Sequence, residues 1–318
     1  MTGPGLDVFT FGETMVSLRS AGPLAAGGAL SMHVAGAESN VAVALARLGH
    51  RSAWGGRIGG DELGEFVLRR LRGEGVGTED VVVDPERPTG LMFLEQRTAD
   101  VTRVQYHRAR SAGSALSADD LRGPLAAGAR VLHLTGITPA LSGSAREATL
   151  WAAGAASATG VAVCLDVNYR ARLWPRDEAR SVLAPLAAHA SIVVASHDEL
   201  DLVGPPGADE AAVVAGLRRA GTDTVLVKLG AAGARVHTRD HVHHAEAVAA
   251  TAVDTVGAGD AFTAGYLSGR LDGLDAVGCL RRAVTLGAFA VSTRGDWEGL
   301  PRRDELSLVH GESGSTIR

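Results

Sequence analysis

The segment DTVGAGDAF, residues 254–262, places two glycines around an alanine and follows them directly with the carboxylate of Asp260. A helical pattern begins at once, so Gly257, Ala258 and Gly259 are predicted to lie at a helix N-terminus, where free backbone N–H groups attract anions. A carboxylate in such a turn would repel a resting phosphate. Both features are explained if the N–H groups stabilise charge that develops on a transferred group while Asp260 accepts the proton of the attacking hydroxyl.

Three other nucleotide-binding patterns can be checked against the same segment. A P-loop needs a Gly-Lys pair, and the chain contains none. The Rossmann fingerprint needs a third glycine where Phe262 stands and lies near the first strand, and the HRD and DFG segments of protein kinases are absent. A plain strand-to-helix turn, with Asp260 as a first-turn helix residue, remains the alternative.

Composition limits the classes of partner. The 318 residues are 46% hydrophobic, include 41 glycines and carry a formal net charge of -5, which argues against a nucleic-acid or membrane surface as partner. Cys164 and Cys279 show no zinc-binding spacing, which favours two buried thiols in a reducing compartment. No secretory signal or long apolar stretch is present, so we expect a cytoplasmic protein.

Most of the chain has an α/β rhythm. From about residue 119, short apolar runs alternate with helical patterns, which predicts a mostly parallel sheet covered on both faces. Two earlier helices are predicted over 38–49 and 61–75, with Asp61 as N-cap and Gly49 just after the first helix. A late helix is predicted over 283–296. The four predicted buried strands are 131–137, 161–168, 191–196 and 224–230.

Two stretches depart from this rhythm. Residues 89–97 and 100–109 are typical of a strand pair, with Val104, Tyr106 and Arg108 on one face. Together with the segment after Glu13, they predict a small sheet that stands apart from the main one.

Four segments carry a family resemblance over the chain up to about residue 301. AGAESNVAVALARLG (35–49), WGGRIGGDELGE (54–65), VLVKLGAAGARV (225–236) and DTVGAGDAF together resemble the PfkB, or ribokinase-like, carbohydrate kinases. The resemblance implies one ribokinase-like three-layer α/β/α domain over 1–301, followed by a flexible tail, 302–318. A small β-sheet lid from about 14–35 and 88–110 would cover the sugar. Asp260 would be the catalytic base, and Gly257, Ala258 and Gly259 the anion hole.

The resemblance also implies ATP and Mg²⁺ and leaves dependence on a monovalent cation open. The family's Asn-x-x-Glu metal motif corresponds here to Ser196-His197-Asp198-Glu199, so Glu199 would bind magnesium through water while the role of Ser196 is open. Lys228 could instead be a solvated strand end, and the alanine-rich face around Gly287 plain helix packing. The residues implied for ATP binding are Lys228, Gly230, Gly233, Gly257, Gly259 and Gly287.

Within the family the chain most resembles the 2-keto-3-deoxygluconate kinases, through YHRARSAGSAL (106–116), LHLTGITPAL (132–141) and DVNYRARLW (166–174). A sugar acid brings a carboxylate that arginine pairs best, which favours Arg108 and Arg170 for this role. The residues expected to contact the sugar acid are Gly36, Tyr106, Arg108, Ile137, Arg170 and Asp260.

Two positions bear on the choice of acceptor, in opposite directions. Ser17 stands where fructokinase-like members carry an aspartate, which removes a carboxylate that would repel an acidic substrate. Met92 stands where the deoxygluconate kinases often have tyrosine. A fructokinase-like or other ketose kinase is therefore the alternative, followed by a catalytically silent sugar-binding regulator. Lids in this family often pair edge to edge, so a homo-oligomer through the lid is expected.

Overall fold

A computed structural model describes residues 5–98 and 101–310. Nine strands form the main sheet in the order β13-β12-β11-β10-β9-β8-β1-β4-β5, parallel except at the β12 and β13 edge. Its strands are β1 (Leu6–Phe11), β4 (Ser52–Gly59), β5 (Val81–Asp84), β8 (Ala129–Thr135), β9 (Ala162–Asp166), β10 (Ile192–Ser196), β11 (Thr224–Lys228), β12 (Ala234–His237) and β13 (Val242–Ala245).

Helices cover both faces of this sheet. They are α1 (Ala37–Arg47), α2 (Glu62–Gly73), α3 (Ala118–Ala127), α4 (Gly143–Ala158), α5 (Arg176–Ala187), α6 (Glu210–Arg219), α7 (Ala258–Leu271) and α8 (Ala276–Val291). Short 3-10 turns lie at Leu24–Ala26, Gly113–Ala115, Thr138–Ala140, Leu200–Leu202, Gly230–Ala232, Arg303–Glu305 and Leu308–His310.

Alternating apolar side chains divide the core into two layers. Val8 packs with α1, α2, α7 and α8 on one face of the main sheet, and its neighbour Phe9 packs with α3 to α6 on the other. Small residues bring α7 and α8 together, since a Cβ at Gly265 would lie 2.8 Å from the Cα of Ala283. The predicted α/β class with a doubly covered parallel sheet is confirmed.

A separate four-stranded sheet, which we call the lid sheet, has the order β3-β2-β6-β7. It comprises β2 (Met15–Ser20), β3 (Leu30–Ala35), β6 (Leu91–Thr98) and β7 (Val101–His107). In its register Ser17 pairs with His33 and with Met92, and Met92 pairs with Tyr106. These residues share the inner face, whose Arg19 and His33 contact the main domain. The predicted small separate sheet is confirmed.

The start of α2 agrees with the sequence prediction, whereas the end of α8 differs from it. Asp61 caps α2 by accepting from the Gly64 amide at 2.8 Å, as predicted. The helix predicted over 283–296 is wrong at its end, because α8 stops at Val291 and residues 292–296 turn back toward Gly257. Of the tail 302–318, the described part makes contacts: the Arg303 guanidinium donates to the Leu48 carbonyl at 2.6 Å and to Asp272. Residues 311–318 lie outside the described residues.

Candidate active site

The glycine turn, Gly257 to Gly259, forms the N-terminus of α7. Gly257 is the N-cap with φ 76°, and a Cβ there would lie 2.1 Å from the Asp296 carbonyl oxygen, so no other residue fits. The first regular bond of the helix runs from the Ala261 amide to the Gly257 carbonyl at 2.9 Å. The amides of Gly259 and Asp260 precede that bond as N-terminal donors of the helix, and the Ala258 amide makes a long, 3.5 Å bond to the Thr255 carbonyl.

Asp260 lies in the first turn of α7 and is 7% exposed. Asn40 of α1 donates to its Oδ2 at 2.8 Å, and Asn168, just past β9, donates to its Oδ1 at 3.1 Å. Burial raises the pKa of Asp260 to about 7, opposed by the Asn40 hydrogen bond and by the charges of Arg170 and Lys228. A carboxylate with this pKa accepts and releases protons near neutral pH, as a general base must.

Lys228, at the end of β11, lies under the glycine turn. Its Nζ is 2.9 Å from Oδ1 of buried Asp166 and 3.4 Å from the position that a Cβ would take at Gly259. Thr263 of α7 donates to the other Asp166 oxygen at 2.8 Å. Burial alone would lower the pKa of Lys228, but Asp166, Glu199 and Asp260 together raise it, so the ammonium stays charged.

Glu199 joins two strand ends. Its Oε1 accepts from the Tyr169 amide at 2.7 Å and its Oε2 from the Ser196 amide at 2.8 Å, so both oxygens already hold the backbone. Within residues 5–98 and 101–310, no group of three or more His, Cys, Asp or Glu side chains is arranged to hold a metal ion. The water-mediated role of Glu199 therefore stays a prediction.

The other glycines predicted for ATP lie around the β11–β12 turn and on α8. Gly230 and Gly233 have φ 58° and 88°, and a Cβ at Gly233 would lie 2.0 Å from the Ala245 carbonyl oxygen. Nothing lies within 4 Å of a Cβ at Gly230, which leaves that face of the turn open. Gly287 of α8 faces α7, with its Cβ position 3.9 Å from the Ala258 carbonyl oxygen. The three positions thus border the same end of the sheet as Lys228 and the turn.

The start of α1 packs against the end of β8 and the turn that follows it. Gly36 precedes α1, and a Cβ there would lie 2.8 Å from both the Glu13 carbonyl oxygen and the Ser39 hydroxyl. Glu38, fully buried, accepts from Thr135 at 2.6 Å and from Thr138 at 2.7 Å. Burial raises the pKa of Glu38 despite those hydrogen bonds. Ile137 lies between the two threonines, with its amide bonded to the Thr135 hydroxyl at 3.0 Å.

Arg108 is already paired in this structure. Its Nε lies 2.6 Å from Oε2 of buried Glu13, its Nη2 lies 2.5 Å from the same oxygen, and Ser111 also bonds Glu13. The Arg108 guanidinium stacks 5.6 Å from the centre of the Tyr106 ring, as expected for two residues on one face. Glu13 therefore takes up one edge of the Arg108 fork.

Arg170 lies past the end of β9 and is exposed. Its Nη1 donates only to the neighbouring Tyr169 carbonyl, at 3.1 Å, among the bonds of the described residues. Its charge nevertheless lowers the pKa of Asp260, so the guanidinium lies within electrostatic reach of the base. Of these two arginines, Arg108 is paired with a carboxylate and Arg170 bonds only a backbone carbonyl among the described residues.

Several functional residues escaped the sequence analysis. Asn40 and Asn168 orient Asp260, and Asp166 pairs with Lys228, although each stands inside a segment that carried the family resemblance. Asn168 has φ 40°, an unusual conformation that no sequence pattern indicated. The Ser17 hydroxyl and the Asn40 amide oxygen are among the buried polar atoms that have no hydrogen-bond partner in the described part of the chain. Buried polar groups usually have a partner, so these two atoms are candidates to bond a ligand.

A family model described as pfkB family carbohydrate kinase matches residues 6–303. The chain is 36% identical over 95% of its length to 2-dehydro-3-deoxygluconokinase of Bacillus subtilis, covering 94% of that protein. It is 35% identical over 93% of its length to the enzyme of the same name from Thermoproteus tenax, covering 91% of it. It is also 32% identical to fructokinase-1 of Zea mays over 94% of the chain and 96% of that protein.

Solved structures show the same architecture. The 2-dehydro-3-deoxygluconokinase of Thermotoga maritima superimposes with a TM-score of 0.86 at 27% identity, over 97% of this chain and 99% of that one. A proposed ribokinase II of E. coli, solved in complex with ATP and Mg²⁺, superimposes with a TM-score of 0.89 at 26% identity, over 96% of this chain and 99% of that one.

Proposed function

The chain belongs to the pfkB family of carbohydrate kinases, and from that premise we propose that it transfers the γ-phosphoryl group of ATP to the terminal hydroxyl of 2-keto-3-deoxygluconate. The product would be the 6-phosphate, 2-keto-3-deoxy-6-phosphogluconate. Similarity to two deoxygluconokinases over more than nine-tenths of the chain supports this acceptor. The observation that carries it is Arg170, a cation just past β9 whose guanidinium has no carboxylate partner among the described residues and can therefore pair with the substrate carboxylate.

The chemistry follows from the groups around the glycine turn. Asp260 accepts the proton of the terminal hydroxyl as the hydroxyl oxygen bonds to phosphorus, and ADP leaves from the opposite side. The amides at the start of α7 and the Lys228 ammonium stabilise the negative charge of the transferred group. The Ser17 hydroxyl and the Asn40 amide oxygen hold sugar hydroxyls, and Gly36 and Ile137 line the same space.

The residues present fit a nucleotide that carries its own Mg²⁺. A charged lysine beside a helix N-terminus suits phosphate oxygens, and magnesium commonly keeps several waters and binds phosphates with few protein ligands. Glu199 would hold the ion through water. Bound magnesium would neutralise phosphate charge during the transfer. Lys228, Gly230, Gly233 and Gly287 would border the nucleotide.

A ketose kinase is the second candidate. Met92 on the inner face of the lid sheet supplies no hydroxyl to the sugar, and the similarity of the chain to a maize fructokinase supports a ketose as the acceptor. Ser17 argues against it, because a neutral sugar gains from the aspartate expected at that position. A silent sugar-binding regulator is disfavoured by Asp260, since binding alone needs no buried base.

The assembly and location belong to the same proposal. Leu30, Met32 and Val101 lie on the outer face of the lid sheet and are 41%, 45% and 53% exposed, which supports a homo-oligomer through the lid. Light scattering of the wild type and of Met32→Glu tests this oligomeric state.

The free buried cysteines, Cys164 and Cys279, fit a reducing cytoplasm. Within residues 5–98 and 101–310, we find no helix long and apolar enough to cross a membrane.

Arg170→Met tests the acceptor. If Arg170 pairs the substrate carboxylate, kcat/KM for the acid falls about a hundredfold, while that for fructose or ribose changes little. Arg122→Met, which removes an exposed arginine of α3, should leave both unchanged. An equal loss with acid and neutral sugars would assign Arg170 instead to the transferred phosphoryl group or to Asp260, whose pKa its charge lowers, and no loss would remove it from the site.

A further inference from the structure

Arg19 joins the lid sheet to the main domain. It lies on β2, and its Nη1 donates to Asp254 Oδ2 at 2.8 Å while its Nη2 donates to Asp296 Oδ1 at 2.7 Å. The guanidinium side chain is 14% exposed, and those of Asp254 and Asp296 are 19% and 6% exposed. One partly buried cation therefore holds two carboxylates from different segments of the chain.

Asp254 and Asp296 lie directly against the glycine turn, one through its carboxylate and the other through its backbone carbonyl. Asp254 Oδ1 accepts from the Val256 amide at 3.1 Å, immediately before the turn, and its Oδ2 accepts from the Gly295 amide at 3.4 Å. The Asp296 carbonyl oxygen occupies the space where Gly257 would carry a Cβ. The position of the turn thus depends on how Asp254 and Asp296 are held.

Asn40 extends the same connection to the base. Its Nδ2 donates to Asp260 Oδ2 at 2.8 Å and lies 3.5 Å from Asp296 Oδ2. Burial raises the pKa of Asp296 to about 6, and the charge of Arg19 opposes that rise. A continuous set of contacts therefore runs from Arg19 through Asp296 and Asn40 to Asp260.

We propose that Arg19 is a positioning residue for phosphoryl transfer, which fixes the glycine turn and orients Asp260 through Asp254, Asp296 and Asn40. Because Arg19 belongs to the lid sheet, these contacts form only when the sheet lies against the main domain. Contact of the lid sheet with the main domain therefore covers the acceptor and orients Asp260 at the same time. The proposal rests on the kinase activity given under Proposed function, but not on the identity of the acceptor.

The surroundings of Arg19 allow chemical rescue of a variant that lacks its side chain. A cavity of about 620 Å³ borders its side chain and is also lined by His33, Thr255 and Arg294. Removal of the Arg19 side chain would leave room between Asp254 and Asp296 for a free guanidinium ion, with access from this cavity. Millimolar guanidinium is far below the molar concentrations that unfold proteins.

The test compares Arg19→Ala with the wild type, using whichever sugar the wild type phosphorylates fastest. We expect kcat to fall about tenfold or more with KM for ATP and sugar nearly unchanged, because positioning acts on the transition state. Millimolar guanidinium chloride should restore much of kcat, and urea should not. Arg294→Ala, which removes an exposed arginine from the same cavity, should show neither the loss nor the rescue.

Amide hydrogen exchange supplies a second readout that needs no substrate. Exchange over residues 254–259 and 292–297 should become faster in Arg19→Ala and slow again with guanidinium. If Arg19→Ala does not fold, Arg19→Lys replaces it and should lower kcat alone, because lysine lacks the two-pronged fork.

Three results would overturn the proposal: unchanged kcat, a loss confined to KM, or a loss in a folded variant with unchanged exchange and no rescue. A wild type that prefers a neutral sugar would refute the proposed acceptor and leave this test intact.

Discussion

Asn40, in the first helix, donates a 2.8 Å hydrogen bond to Asp260, 220 residues later in the chain. With Asn168 on the other carboxylate oxygen, this bond fixes the plane of the side chain at the start of α7. A buried, oriented carboxylate beside a helix N-terminus is what a base for hydroxyl phosphorylation requires. The site therefore depends on α1, β9 and α7 meeting at one edge of the main sheet.

Replacement of the base should separate binding from turnover. We expect Asp260→Asn to lower kcat by about a thousandfold, within the usual range for loss of a general base, while sugar affinity changes little. A coupled ADP-release assay and calorimetric titration with sugar measure the two effects. Asp119→Asn, a change at an exposed aspartate of α3, serves as the control. Turnover retained in Asp260→Asn would remove Asp260 as the base.

The raised pKa of Asp260 predicts a pH dependence. The base must be ionised to accept a proton, so kcat/KM should rise with pH and level off above an apparent pKa near 7 for the free enzyme. An aspartate with the ordinary pKa of 3.8 would instead place the rise of kcat/KM near pH 3.8. Rates from pH 5 to 9 at constant ionic strength, with the assay enzymes in excess, measure the limb. A flat profile between pH 5 and 8 would contradict the assignment.

The ion pair between partly exposed Lys228 and buried Asp166 should support both stability and ATP use. Lys228→Met leaves Asp166 charged and unpaired, which should cost about 3–5 kcal/mol in the free energy of unfolding and raise KM for ATP. The double variant Lys228→Met/Asp166→Asn should recover stability without recovering activity. Urea unfolding and ATP kinetics distinguish the two effects. If the single and double variants are equally stable, the pair contributes no stability.

The glycine turn allows a matched comparison of two positive-φ glycines. Gly257→Ala should destabilise the protein and abolish most activity, because its Cβ would strike the Asp296 carbonyl oxygen at 2.1 Å. Gly273→Ala, at the far end of α7, has nearly the same φ, 77°, but open space, so only the backbone cost of about 1–2 kcal/mol should appear. Thermal unfolding and kcat of both variants test this. Equal losses would mean that contact with Asp296 is unimportant.

The fold was largely predictable because its signals are local. Alternation of apolar runs with helical patterns indicated the parallel sheet, and the N-cap Asp61 and the helix end at Gly49 follow from backbone hydrogen bonding. The end of α8 at Val291 was missed, because residues 292–296 leave the helix to contact Gly257 and Arg19. That contact is tertiary, and no local propensity reports it.

Site residues were predictable from the sequence only where they lie together in one short segment. Asp260 and its turn were predicted from nine residues, whereas Asn40, Asp166 and Asp296 are recognised only by their contacts with partners that are distant in sequence. For Arg108, a partner distant in sequence changes the role that the residue type suggests. Its residue type predicted a ligand for a substrate carboxylate, but Glu13, 95 residues earlier, already occupies one edge of its fork. Sequence gives the charge of a side chain and not its partner.

The most direct test of the account is a coupled ADP-release assay with Mg-ATP, comparing 2-keto-3-deoxygluconate with fructose and ribose. We expect kcat/KM for the acid to exceed the others by about a hundredfold, equivalent to about 2.7 kcal/mol of transition-state discrimination by a paired carboxylate. A preference for fructose or ribose would retain Asp260 and the glycine turn as the kinase machinery and contradict the acid acceptor.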